Sequence, residues 1–148
     1  MFPVRRRLLA GILASLSVIV INASLVPNAV ATGGGKTLST QLLGSNEVPG
    51  PGDPDGSGTA VITLRVRGEV CYDLTWANLD PVIAAHIHVA PAGVSGPVVV
   101  PLPVTTSPTG CVPADKQLVK AIKSDPDLYY VNIHTETYPA GAIRGQLG

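Results

Sequence analysis

Residues 59–67 alternate, with Ala60, Ile62, Leu64 and Val66 on one side and Thr59, Thr63, Arg65 and Arg67 on the other. That is the period-two pattern of a half-buried strand. Gly68 interrupts it, and a second alternation sets Val70, Tyr72, Leu74 and Trp76 against Cys71, Asp73 and Thr75. The two runs read as a hairpin turning at Arg67-Gly68-Glu69. Upstream, 37–44 reads as a short first strand ending at Gly44-Ser45-Asn46, and the Pro, Gly and Asp residues of 49–58 mark a surface loop. Downstream, 84–90 is a strand carrying His86-Ile87-His88, and 91–97 is a turn rich in Gly and Pro. Val98-Val99-Val100, bounded by Pro101 and Pro103, suits an edge or a strand end. A helix is predicted over 114–124, with Asp115 as N-cap, Leu118, Val119 and Ile122 as apolar stripe, and Pro126 as stop. Strands at 129–135 and 142–147, joined through Tyr138-Pro139-Ala140-Gly141, close the chain. Short strands between turn signals, with one short helical insertion, predict an all-β fold. The expected architecture is an antiparallel β-sandwich or barrel, immunoglobulin-like or superoxide-dismutase-like.

The first 31 residues follow another pattern. Arg5, Arg6 and Arg7 precede an apolar stretch over 8–26, and Ala29-Val30-Ala31 has the small residues of a signal-peptide cleavage site. Residues 1–31 are therefore expected to be a cleaved signal peptide, 32–36 a flexible lead-in and 37–148 a single domain. This predicts a secreted, extracellular protein with no membrane attachment after cleavage. Losing the leader removes three of the ten Lys and Arg residues and none of the ten acids, which leaves a charge near −3. A chain so balanced has no basic footprint for nucleic acid. Cys71 and Cys111 both lie in the exported part, too far apart for a CxxC motif, and are predicted to form a disulfide.

All three histidines fall in two predicted strands, His86 and His88 in one and His134 in the other. With period two, His86 and His88 share a face opposite Ile87 and Val89, and Asn132 and His134 share a face opposite Val131 and Ile133. Pairing the two strands with these faces aligned would bring three imidazoles together. Three nitrogen donors with an open position are what zinc and copper sites use. The same histidines suit hydrogen bonds that tie a loop to the sheet, and that structural role is the preferred reading. Arg144, on the face of Gln146, is expected to be a structural fork bonding a neighbouring loop. Asp53 and Asp55 lack the third acid and the distal Glu of an EF-hand, so their segment reads as a plain turn. With no G-x-S-x-G serine and no paired carboxylates, no catalytic residue is predicted.

Four segments taken in order carry a resemblance: LLGSNEVP at 42–49, the strand at 58–64, AHIHVAPAGVSGPVVVPL at 85–102 and YVNIHTETYPAGAIRGQL at 130–147. Together they look like the CHRD domain, named after chordin, over essentially the whole of 37–148. The resemblance implies an extracellular β-sandwich module whose biochemical activity is poorly defined. Its motif positions correspond to His86, His88, Gly93, Gly96 and Pro97 in the third segment, and to Asn132, His134, Thr135, Pro139, Gly141, Arg144 and Gly145 in the fourth. Where relatives often carry Glu, this chain has Ala142, so any polar support from that acid is missing. A comparison with copper-zinc superoxide dismutase fails on arithmetic, because its binuclear centre uses more histidines than the three present; only a mononuclear remnant fits. The expected function is a secreted, non-enzymatic binding or structural module without a cofactor, meeting an extracellular protein or glycan. The alternative is a mononuclear copper or zinc protein with His86, His88 and His134 as ligands.

Overall fold

The computed structural model describes residues 35–148; the leader expected over 1–31 lies outside the described residues. Eight strands form one antiparallel sheet: β1 (Lys36–Leu43), β2 (Ser57–Arg65), β3 (Glu69–Ala77), β4 (Val82–Val89), β5 (Val98–Leu102), β6 (Thr109–Pro113), β7 (Tyr129–Thr135) and β8 (Ile143–Gln146). Their order across the sheet is β5-β4-β7-β8-β1-β2-β3-β6, and the sheet curls into a nearly closed barrel. Of the two architectures expected, the chain therefore takes the barrel, with β5 and β6 as its edges. Pro101 and Pro113 lie on those edges, where a missing N–H interrupts no ladder.

The inward face follows the alternation. Ala60, Ile62, Leu64, Val70, Tyr72, Leu74, Ala85, Ile87, Val131, Ile133 and Ile143 fill the barrel. The helix α1 (Lys116–Ser124) packs against β2 and β3 and adds Val119 and Ile122 to the same core. Asp115 caps it, its carboxylate accepting from the backbone N–H groups of Gln117 at 2.8 Å and Leu118 at 3.0 Å.

Two details depart from the pattern. Val66 was expected to face inward, yet β2 ends at Arg65 and Val66 is 60% exposed. The hairpin begins turning once Arg65 has paired with Glu69, and Gly68 closes the turn at φ +86°. Strand β6 has no counterpart in the alternation pattern. Its Thr-Gly-Cys-Val-Pro sequence has little β character of its own, and it becomes a strand because β3 pairs with it, Val70 opposite Val112 and Cys71 opposite Cys111. Cys71 and Cys111 are bonded across that pair, as predicted.

Strand β7 is buried along its whole length, on both faces. Residues 90–97, between β4 and β5, and 136–142, between β7 and β8, supply backbone carbonyls to the outer face of the sheet around it, Gly96 to His88 on β4, Pro139 to His134 on β7 and Pro91 to Arg144 on β8. The segment 44–56 joins the same layer, Asp53 N donating to Ala142 O at 2.8 Å. Asp53 Oδ1 accepts from the N–H groups of Asp55 and Gly56, so this segment is the turn expected from sequence. Glu47, only 6% exposed, lies against Gly141, whose φ of +145° and lack of a side chain make room for it. A Cβ at Gly141 would fall within 2.4 Å of the Glu47 carboxylate. Burial pushes the Glu47 carboxyl up to about 7, against the opposing pull of the Arg144 guanidinium and a backbone hydrogen bond at Val48.

Two outcomes are expected. Reducing the disulfide, which closes a loop spanning 40 residues, should cost about 4 kcal/mol of stability in the chain-entropy account. An unchanged melting temperature after verified reduction would contradict it. Folded Glu47 holds its proton more tightly than the unfolded chain does, so its contribution is complete below the ordinary value of 4.5 and fades as pH rises through about 7. Wild type should therefore lose stability relative to Glu47→Gln across that interval in denaturant titrations. Parallel curves for the two proteins would show that the carboxyl is not held in its neutral form.

Candidate metal centre

The three histidines converge because β4 and β7 are antiparallel neighbours with Ala84 opposite His134, His86 opposite Asn132 and His88 opposite Tyr130. All of these outward side chains oppose the apolar set Ala85, Ile87, Val131 and Ile133. His86 therefore reaches His134 along the diagonal between adjacent rows. Its Nδ1 lies 3.1 Å from His134 Nε2, and ring centroids are 4.9 Å apart for that pair, 5.5 Å for His86 and His88, and 6.4 Å for His88 and His134. One ring nitrogen from each lies within 4.8 Å of the other two. An ion bound at about 2.1 Å in tetrahedral geometry needs its nitrogens about 3.4 Å apart, and would take the place of the His86–His134 hydrogen bond.

Hydrogen bonds fix which nitrogens are available. His88 Nδ1 lies 2.9 Å from Gly96 O and His134 Nδ1 lies 3.0 Å from Pro139 O. A carbonyl oxygen only accepts, so both rings carry their proton on Nδ1 and present a bare Nε2. His88 Nε2 is buried and has no hydrogen-bond partner among the described residues. His134 Nε2 accepts from His86 Nδ1, and the Asn132 amide beside it, 3.0 Å away at its oxygen, must turn its NH2 toward the ring. An imidazole whose far N–H is pinned on a carbonyl is the usual arrangement around a protein-bound metal ion. Two of the rings, His86 and His134, are also pushed toward their neutral form. His86 is lowered to about 4, first by burial and then by the neighbouring His134 and His88. His134 is lowered by burial, its bond to Pro139 opposing.

A stack of flat groups backs the cluster. The Tyr130 ring lies parallel to His88, with centroids 4.7 Å apart and planes 9° apart, and Arg144 Cζ lies 3.4 Å from the centre of the same Tyr130 ring. Because β7 runs between β4 and β8, His88 and Arg144 cover opposite faces of Tyr130. Gly96 locks this stack to the loop: its N–H donates to Tyr130 Oη at 3.2 Å while its carbonyl takes the His88 proton. A side chain there is excluded, since a Cβ would lie 1.9 Å from Val89 O. Arg144 donates through Nη2 to Pro91 O at 3.2 Å, and Gln146 Nε2 donates to Ala90 O at 2.8 Å. Arg144 is 2% exposed, and its Nη1 has no hydrogen-bond partner among the described residues.

The other predicted positions serve the frame. Thr135 Oγ1 accepts from Tyr138 N at 3.1 Å, Pro97 O accepts from Val89 N at 3.1 Å, and Gly93 sits in the exposed part of the loop at φ +77°. Tyr130 and Glu47 were not singled out from sequence. Tyr130 shares the parity of Asn132 and His134, so the alternation that found those two also placed it on their face. Glu47 lies far along the chain, and no local signal connects it to Arg144.

The CHRD domain family model matches residues 38–147. No curated protein and no solved structure matches the chain. A match over most of the sequence, carried by a single curled sheet with one helix, shows that this chain belongs to the CHRD domain family.

Proposed function

We propose that this chain is an exported, non-enzymatic module that holds one transition-metal ion, copper or zinc, at His86, His88 and His134. Membership of the CHRD family supports a binding or structural module. The metal reading rests on one observation: two imidazoles pinned through Nδ1 on backbone carbonyls turn unprotonated Nε2 atoms toward a third imidazole, and that of His88 has no hydrogen-bond partner among the described residues. A purely structural histidine gains nothing from a buried Nε2 without a partner, and leaving such an acceptor unsatisfied costs about 1–3 kcal/mol. An ion would use that lone pair. Among the described residues, no carboxylate or thiol joins the cluster, so its donors are imidazoles alone. Export is supported by the leader pattern of residues 1–31 and by the Cys71–Cys111 bond.

Calorimetric titration of residues 32–148, free of any affinity tag, with zinc and with copper(II) is expected to give one site per chain. His88→Ala should weaken it at least 100-fold while the circular dichroism of the fold persists. Absence of heat at micromolar metal, or equal affinity in the variant, would return the histidines to a purely structural role.

A further inference from the structure

Three features set the charge an ion would meet in this site. The donors are three imidazoles, and among the described residues no anionic side chain completes the group. His88 and His134 are 8% and 9% exposed and His86 is half-buried, so an ion held there loses part of its hydration. The cost of that loss rises with the square of the ionic charge. Behind His88, one aromatic ring away, stands the guanidinium of Arg144, itself 2% exposed and with one nitrogen lacking any hydrogen-bond partner. Such a cation repels a doubly charged ion twice as strongly as a singly charged one.

Building on the trihistidine reading, we infer that the site selects the monovalent ion copper(I) over divalent copper and zinc, and that Arg144, acting through the Tyr130–His88 stack, sets this preference. Imidazole donors suit both copper and zinc, and of the two only copper has a stable singly charged state. At a separation on the order of 10 Å and an effective dielectric constant near 20, one additional unit of charge facing Arg144 weakens binding by roughly tenfold. Glu47 is the acid that bears on Arg144, and at neutral pH it carries less than a full charge because burial raises it to about 7. It therefore leaves much of the guanidinium charge uncancelled. The stack gives Arg144 a second effect, since the ring it covers is the ring that holds the plane of His88. Positioning acts on every ion equally, whereas charge acts more on the divalent ones. The ratio of affinities separates the two.

The experiment measures copper(I) affinity by competition with bicinchoninate under ascorbate, and copper(II) and zinc affinities by competition with nitrilotriacetate, on the disulfide-bonded domain. Wild type is expected to bind copper(I) at least tenfold more tightly than copper(II). Arg144→Gln should reduce that ratio about tenfold, which is a 59 mV fall in the potential of the bound copper couple, and Arg144→Lys should preserve it. Copper(II) or zinc bound more tightly than copper(I) by wild type overturns the proposal, and this comparison decides the matter even if Arg144→Gln fails to fold. A ratio unmoved in a folded Arg144→Gln variant overturns the role of Arg144. Failure to bind any of the three ions refutes the trihistidine site itself, an outcome distinct from the other two.

Discussion

Strand β7 is the constraint around which the rest of the molecule is arranged. It lies between β4 and β8 near the middle of one half of the sheet, and all seven of its residues are buried. A strand covered on one side only could leave polar side chains to water. Here Tyr130, Asn132 and His134 point away from the barrel core into a layer of loops, where buried polar groups require partners. The partners are carbonyls of residues that pair with no strand: Pro139 for His134, Gly96 for the adjacent His88, and Pro91 for Arg144. Two long-separated motifs are thereby tied together by hydrogen bonds that the sheet alone would not supply.

The same bonds that fasten the loops decide what the imidazoles can do. A ring that gives its Nδ1 proton to a carbonyl is held in one tautomer and one orientation, with Nε2 left as a lone pair. When this happens twice around a common point, the two acceptor nitrogens lie beside the third imidazole. Structural and metal-holding roles for these histidines, which look like alternatives from sequence, are therefore not opposed. The loop-fastening bonds use one nitrogen of each ring and leave the other.

Electrostatics on this face run in one direction. Arg144 is buried among neutral groups, its nearest acid, Glu47, is pushed toward its neutral form, and His86 and His134 are pushed toward theirs. The cation keeps its place through a ring face and carbonyl oxygens instead of a carboxylate, a geometry that suits a planar guanidinium.

Sequence alone determined the elements whose patterning is local. The alternations of β2 and β3, the Asp115-capped helix, the turn at Asp53 and the common face of His86 and His88 all follow from periodicity and turn chemistry acting over a few residues. It also placed Cys71 and Cys111 together, since the chain carries only two cysteines. It did not yield β6, whose five residues become a strand only because β3 offers them an edge, nor the exposure of Val66, which depends on where the hairpin stops pairing. The register of β4 on β7 was likewise beyond it, because a shift of one residue would send the histidines to opposite faces while leaving each strand's own pattern intact. Tertiary structure alone brought Glu47 beside Arg144 and stacked Arg144, Tyr130 and His88 in one column. These contacts join residues tens of positions apart, and the energy that selects them comes from burying both faces of β7 at once, which no local segment encodes.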